Sequence, residues 1–256
     1  MTLKDTRFAF FPAALSAALV LSGCGSANRT ALVSTGLTTV AGQTTSLGTG
    51  TSRTFLTYNN GVPSSVGVVL SRGALTGLPT EMTNYVMAVP AAAGIPFTHV
   101  SLDWEPAGHP PPGIYTVPHF DVHFYMLTQQ QRQAITPTID PVMAAARPAA
   151  NLIPPGYQFD GQVVPFMGVH AEDLTSKEFH GQPFDHTFVY GYFAGHQAFV
   201  EPMVTREFLL QNGSNSYSVA QPATFDKAGY YPTTYSIKYD AASGDTTVSL
   251  DNLTAR

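Results

Sequence analysis

The sequence predicts a mainly antiparallel β fold, a sheet or barrel with a few helical insertions, and three observations predict it. Short alternations of apolar and polar residues recur after about residue 51. Turn residues that tolerate positive φ stand between them. The 20 prolines and 22 glycines among 256 residues leave few stretches long enough for helix and assign the remainder to loops.

The elements follow in order. "RTFLTYNNGVPSSVGVVLS", Arg53 to Ser71, is a pair of alternating runs around "NNG", a hairpin signal. "FTHVSLDW", Phe97 to Trp104, alternates too, and the Pro- and Gly-rich "EPAGHPPPG", Glu105 to Gly113, interrupts it before the next strand. Between Phe184 and Thr205, "FDHTFVYGYF" and "QAFVEPMVT" flank "AGH" as a second hairpin. Near the end "YSIKYD" and "TTVSLD" flank "AASG" as a third. Two helices are expected: "LTQQQRQAI", Leu127 to Ile135, capped by its threonine, and "DPVMAAAR", Asp140 to Arg147, with Asp as cap and Pro in the first turn.

Ahead of these strands stand Lys4 and Arg7, an apolar run from Phe8 to Leu21, and "LSGC", Leu21 to Cys24. That is the charged start, apolar middle and small-residue exit of a secretory signal, expected over residues 1–23. Its ~14 apolar residues fall short of the ~20 that span a bilayer. "LSGC" resembles the lipobox of bacterial lipoproteins, in which the cysteine becomes the new N-terminus and carries the lipid. Cys24 is the only cysteine, so no internal disulfide is available and the one thiol stands where lipidation would consume it. Gly25 follows it rather than the aspartate associated with inner-membrane retention, which favours the outer membrane. Residues 24–50, rich in Ser, Thr and Gly with almost no charge, are expected to begin as a flexible tether, though the later part alternates as a strand would. Residues 51–256 are long enough to bury one sizeable core and are expected to form a single domain.

Only 11% of the residues are charged and the net charge is −5, so no basic stripe exists to grip phosphates and nucleic acid is set aside as a partner. No nucleophile elbow, phosphate loop or dinucleotide glycine motif occurs.

The stretch that carries chemistry is "VPHFDVHFYML", Val117 to Leu127. Read as a strand, its period of two places His119, Asp121, His123 and Tyr125 on one face and Phe120, Val122 and Phe124 on the other. A helix would set His119 and His123 at i and i+4, the spacing of zinc helices, but would scatter the three apolar residues around the cylinder. Strand spacing then limits the chemistry. Same-face neighbours stand ~6.6 Å apart, so His119 and His123 lie ~13 Å apart at Cα, too far to share an ion without a bulge. The economical pairs are Asp121 with His123 or His119 with Asp121, completed from other strands. "PFMGVHAED" offers His170 and "FVEPMVT" offers Glu201. Together these make a mixed nitrogen and oxygen set suited to zinc, manganese or iron(II). His109, in the proline-rich loop, is an outer ligand or proton carrier by position. Met126 and Met167, three residues from His123 and His170, are expected on the core side. His180, His186 and His196 lie in turn or hairpin contexts and read mostly as solvated.

The run "HVSLDWEPAGHPPPGIYTVPHFDVHFYM", with "MGVHAEDLTSKEF" and "PFDHTFVYGYFAGHQAFVEPMVT", resembles an uncharacterised family of exported bacterial proteins of the TTHB type. Its members share an HFD-x-HFYM strand, a GVH strand and an EPM strand. The resemblance runs from about Gly42 to Leu210, implies no activity, and supports pairing Asp121, His123, His170 and Glu201 in one constellation.

Two functional expectations follow. One is an envelope lipoprotein that holds a divalent ion through histidines and carboxylates, with hydrolase- or lyase-like chemistry on a small molecule. The other is a non-catalytic envelope module, open to self-assembly as a homo-oligomer, whose His/Asp face is a polar hydrogen-bond network that binds a ligand or a partner strand.

Overall fold

A computed structural model describes residues 36–136, 138–159 and 161–256. The expected signal segment and Cys24 lie outside the described residues. In chain order the strands are β1 (Leu37–Leu47), β2 (Gly50–Asn59), β3 (Val62–Leu70), β4 (Thr83–Ala88), β5 (His99–Glu105), β6 (His119–Tyr125), β7 (Tyr157–Phe159) and β8 (Val169–Asp173). They continue with β9 (His186–Phe193), β10 (His196–Thr205), β11 (Ser214–Ser218), β12 (Tyr230–Tyr231), β13 (Thr234–Asp240), β14 (Asp245–Asp251) and β15 (Thr254–Ala255). Three short helices interrupt them: α1 (Gln129–Gln133), α2 (Pro141–Ala144) and α3 (Arg206–Leu210). No helix among the described residues is long and apolar enough to cross a membrane.

The strands pair antiparallel in two large open sheets, and neither closes into a barrel. The first runs β1-β2-β3-β14-β13-β11 and the second β4-β5-β6-β10-β9-β8-β7, while β12 and β15 form a small pair. Local chemistry explains the turns. Asn60 (φ 50°) and Gly61 (φ 79°) close β2 on β3, and Ala194 (φ 52°) and Gly195 (φ 82°) close β9 on β10. Thr128 and Gln131 form a reciprocal capping box on α1, and Asp140 caps α2 through Val142 N–H. Strand structure begins at Leu37, inside the stretch assigned by composition to a tether, because its alternating threonines and valine find a ladder on β2.

Between the sheets lies one apolar core. Leu56, Val66, Val68, Ile237, Val248 and Leu250 from the first sheet meet Val100, Leu102, Phe120, Val122, Phe124 and Val204 from the second. The opposite face of the second sheet is also covered. Tyr115, Phe184, Val189 and Met203 form one cluster there, and Tyr125, Ala198 and Phe199 another. The polar face of β6 therefore does not sit in water: His119, Asp121 and His123 are 0%, 3% and 1% exposed.

Candidate metal centre

Register decides which side chains share the covered face. Asp103 stands opposite Asp121, Ser101 opposite His123 and Glu105 opposite His119 on β5. On the other side of β6, Met203 faces Asp121 and Phe199 faces Tyr125, so Glu201 falls beside His123 on the same face. Through β9, Phe199 pairs with Gly191, and Gly191 with His170 on β8. Gly191 is required by that arrangement. A Cβ there would lie 2.1 Å from the Phe199 ring, which packs edge-on against both His123 and His170 at centroid distances of 4.8 and 5.3 Å.

Among the described residues two groups of three metal-ligand type side chains result, each with two imidazoles and one carboxylate, and within each group the ligand atoms lie within 4.8 Å of one another. The first joins His123, His170 and Glu201 from three strands, with His123 Nε2 3.4 Å from Glu201 Oε1 and His170 Nε2 3.9 Å from Oε2. Behind it, Asp103 Oδ2 lies 3.2 Å from His123 Nδ1. Asp103 accepts from Ser101 Oγ, which accepts from Arg132 Nη2 at 3.1 Å. Arg132 Nε donates to the Phe166 carbonyl, which also accepts from Tyr125 Oη, so α1 is tied to this row.

The second group joins His109, His119 and Asp121. His119 Nε2 lies 3.0 Å from Asp121 Oδ1, and His109 Nε2 3.3 Å from Oδ2. These contacts are close without all being hydrogen bonds. His119 Nε2, Asp121 Oδ1, both nitrogens of His123, Asp103 Oδ2 and Glu201 Oε2 are buried with no aligned hydrogen-bond partner. Orphaned buried polar atoms each cost ~1–3 kcal/mol, so a cluster of them calls for an explanation. Ligand atoms at ~2.0–2.1 Å from one tetrahedral zinc stand ~3.3 Å from each other; three of the four histidine–carboxylate contacts here lie at 3.0–3.4 Å and the fourth, His170 to Glu201, at 3.9 Å.

The charge balance points the same way. Burial, with Asp121 and Asp103 nearby, pushes the Glu201 carboxyl well above the usual carboxylate range. Burial lowers His170 to about 3, helped by the His123 imidazole, so its lone pair is free at neutral pH. Burial and Asp121 raise Glu105 to about 7. Burial opposes charge on both His109 and Asp121, but their mutual contact prevails: His109 rises to about 9, and His119 with His109 holds Asp121 well below its ordinary value. Glu201 and Glu105 thus hold a proton more tightly than usual, whereas Asp121 stays ionised between its two histidines.

The structure thus brings together His123, His170 and Glu201, and places Asp121 and His119 with His109 instead. Strand spacing is the reason: residues two apart on β6 project toward different neighbours. Sequence reasoning passed over Asp103 and Glu105, whose signal was the polar period in "HVSLDWE". Met126 lies in the main core, but Met167 packs on the Tyr125 and Phe199 cluster, on the covered face of the sheet, because it precedes β8 in a loop. His196 is exposed, whereas His186 is largely buried against Tyr217 and bonds Tyr235 Oη at 2.7 Å.

Each group meets solvent through one histidine, His170 with 15% of its side chain exposed and His109 with 33%. A surface cleft of about 430 Å³ lies outside the second group, lined by Ile114, Val117, Pro118 and Phe184 among others. Phe184 separates it from His119, whose ring it meets edge-on at 5.4 Å.

A family model described as TTHB210-like, hypothetical protein TTHB210, matches residues 59–104, from the end of β2 through most of β5. The match carries Asp103 but ends before His119. No curated protein and no solved structure matches the chain.

Proposed function

We propose that this protein is a divalent-metal protein whose working centre is His123, His170 and Glu201. The observation that carries the proposal is convergence: buried His123 and Glu201 and partly exposed His170 come from three strands with ligand atoms within 4.8 Å of one another, and among the described residues both His123 nitrogens and Glu201 Oε2 have no aligned hydrogen-bond partner. Two histidines and one carboxylate suit zinc, manganese or iron(II), and a three-ligand set leaves a coordination position open, as hydrolytic and lyase-type sites do. A bound ion supplies Lewis-acid activation of water or of a substrate carbonyl.

The chain's own residues do the rest. Asp103, held by Ser101 and Arg132, places its negative charge 3.2 Å from His123 Nδ1, while Nε2 lies toward Glu201. Phe199 packs edge-on against both imidazoles and forms an apolar wall of the site. His170 offers the open edge through which a small molecule reaches the site. We further propose that Cys24 carries a lipid that anchors the protein to the bacterial envelope, at the outer membrane; a fatty-acid analogue should label the wild type and not Cys24→Ser.

The deciding experiment is elemental analysis of full-length protein purified without a metal column. Wild type should hold stoichiometric divalent metal. His123→Ala and His170→Ala should each hold one ion fewer than wild type, and His196→Ala the same number. A wild type that binds zinc no better than His123→Ala would leave the non-catalytic polar network as the reading.

A further inference from the structure

We infer that His109, His119 and Asp121 form a second, separate cation site, which ties the proline-rich loop to the sheet. His119 Nδ1 lies 2.6 Å from the Val117 carbonyl and His109 Nδ1 2.6 Å from the Pro110 carbonyl. A carbonyl only accepts, so in each ring Nδ1 carries the proton and Nε2 is left to bind something else. Both Nε2 atoms face the same carboxylate, at 3.0 and 3.3 Å. This is the outer support that metal-binding histidines ordinarily have: one nitrogen anchored on backbone, the other presented to the ion.

Alignment favours an ion over a simple pair. His119 Nε2 and Asp121 Oδ1 are fully buried and 3.0 Å apart, yet neither has an aligned partner. A hydrogen bond would direct the ring N–H at the oxygen; two donors that share a cation point past one another at a third position. The set of two imidazoles and one carboxylate takes the same class of divalent ion as the first group.

The third ligand arrives differently. His119 and Asp121 belong to β6, but His109 rides on the loop between β5 and β6. That loop closes on itself through His109 N–H to the Tyr115 carbonyl, and Tyr115 anchors it beside Phe184 and Met203. Gly108 (φ 70°) makes the turn possible, because a Cβ there would lie 2.1 Å from the Tyr115 carbonyl oxygen. Binding a cation therefore cross-links loop to strand. The inference extends the reading of the first group without depending on it.

The test is equilibrium dialysis of the metal-stripped full chain against zinc, with elemental counting. Wild type should bind two ions. His109→Ala and Asp121→Asn should each bind one, with the second weakened more than about 100-fold, since outer partners alone contribute 10–100-fold. His123→Ala should also bind one, and Asp121→Asn combined with His123→Ala none. Hydrogen exchange of residues 106–117 should slow when zinc is added to wild type and to His123→Ala, and not when it is added to His109→Ala. That readout stands even if the buried Asp121→Asn chain folds poorly. Two ions retained in His109→Ala, or a single wild-type ion that Asp121→Asn leaves in place, would overturn the second site. A single ion lost in Asp121→Asn and kept in His123→Ala would uphold it and overturn the first group instead.

Discussion

The two faces of β6 are equally buried and do opposite things. Phe120, Val122 and Phe124 are 0% exposed and pack in the main core, while His119, Asp121 and His123 are 0%, 3% and 1% exposed beneath a layer of loops. Burying each apolar side chain stabilises the fold by ~1.5–3 kcal/mol. Burying the polar ones costs free energy unless each finds a partner, and several of their atoms have no hydrogen-bond partner among the described residues. Burial alone therefore does not identify a core residue. A strand can spend one face on stability and the other on binding, and the excess of buried carboxylate on the second face is the mark of the difference.

The largest expected effect that would sharpen this contrast is on the apolar side. Phe124→Ala should lower unfolding free energy by ~3–5 kcal/mol in denaturant titrations, while the fraction that stays folded keeps its metal content. Loss of metal from the folded fraction would show that the two faces are not independent. Next in size is Asp103→Asn, which leaves every proposed ligand in place but removes the carboxylate behind His123. Zinc affinity at the first group should fall ~10–100-fold with little change at the second. An unchanged affinity would remove Asp103 from the site's support.

The smallest effect concerns pH and the metal-free protein. The folded-state value of His109, about 9, lies above its ordinary 6.5, so the protonated form contributes stability fully below about pH 6.5. That contribution is lost as pH rises through about 9. Denaturation of chelator-treated protein should show a decline between pH 6.5 and 9 that His109→Ala lacks. Saturation with zinc should abolish the decline as well, because the ion replaces the proton on Nε2. A parallel decline in wild type and His109→Ala would mean that the pair with Asp121 contributes nothing.

Much of the architecture was readable because it rests on local rules. Asn60-Gly61 and Ala194-Gly195 stand at positive φ where the hairpins were expected, and Thr128 and Asp140 cap the two helices read from their sequences. The period of two in "HFDVHFY" separated the faces of β6 correctly because alternation is a property of a single strand. The choice between barrel and open sheet was not local: it depends on whether β4 and β7, the edges of the second sheet, find each other, and they do not.

By itself, then, the sequence determined the antiparallel strands, their turns, and the residue types that could hold a cation on one face of β6. Only the tertiary structure decided which of them meet. His170 reaches His123 because Gly191 leaves room for Phe199, against which both imidazoles pack. His109 reaches Asp121 because Tyr115 folds its loop onto the sheet. Asp103 stands behind His123 because β5 pairs with β6 in one register rather than another. The physical reason is that alternation is set by each strand's own backbone, whereas a ligand set is made by register and loop closure between segments as far apart as His123 and Glu201, 78 residues, and those depend on the burial of the whole core at once.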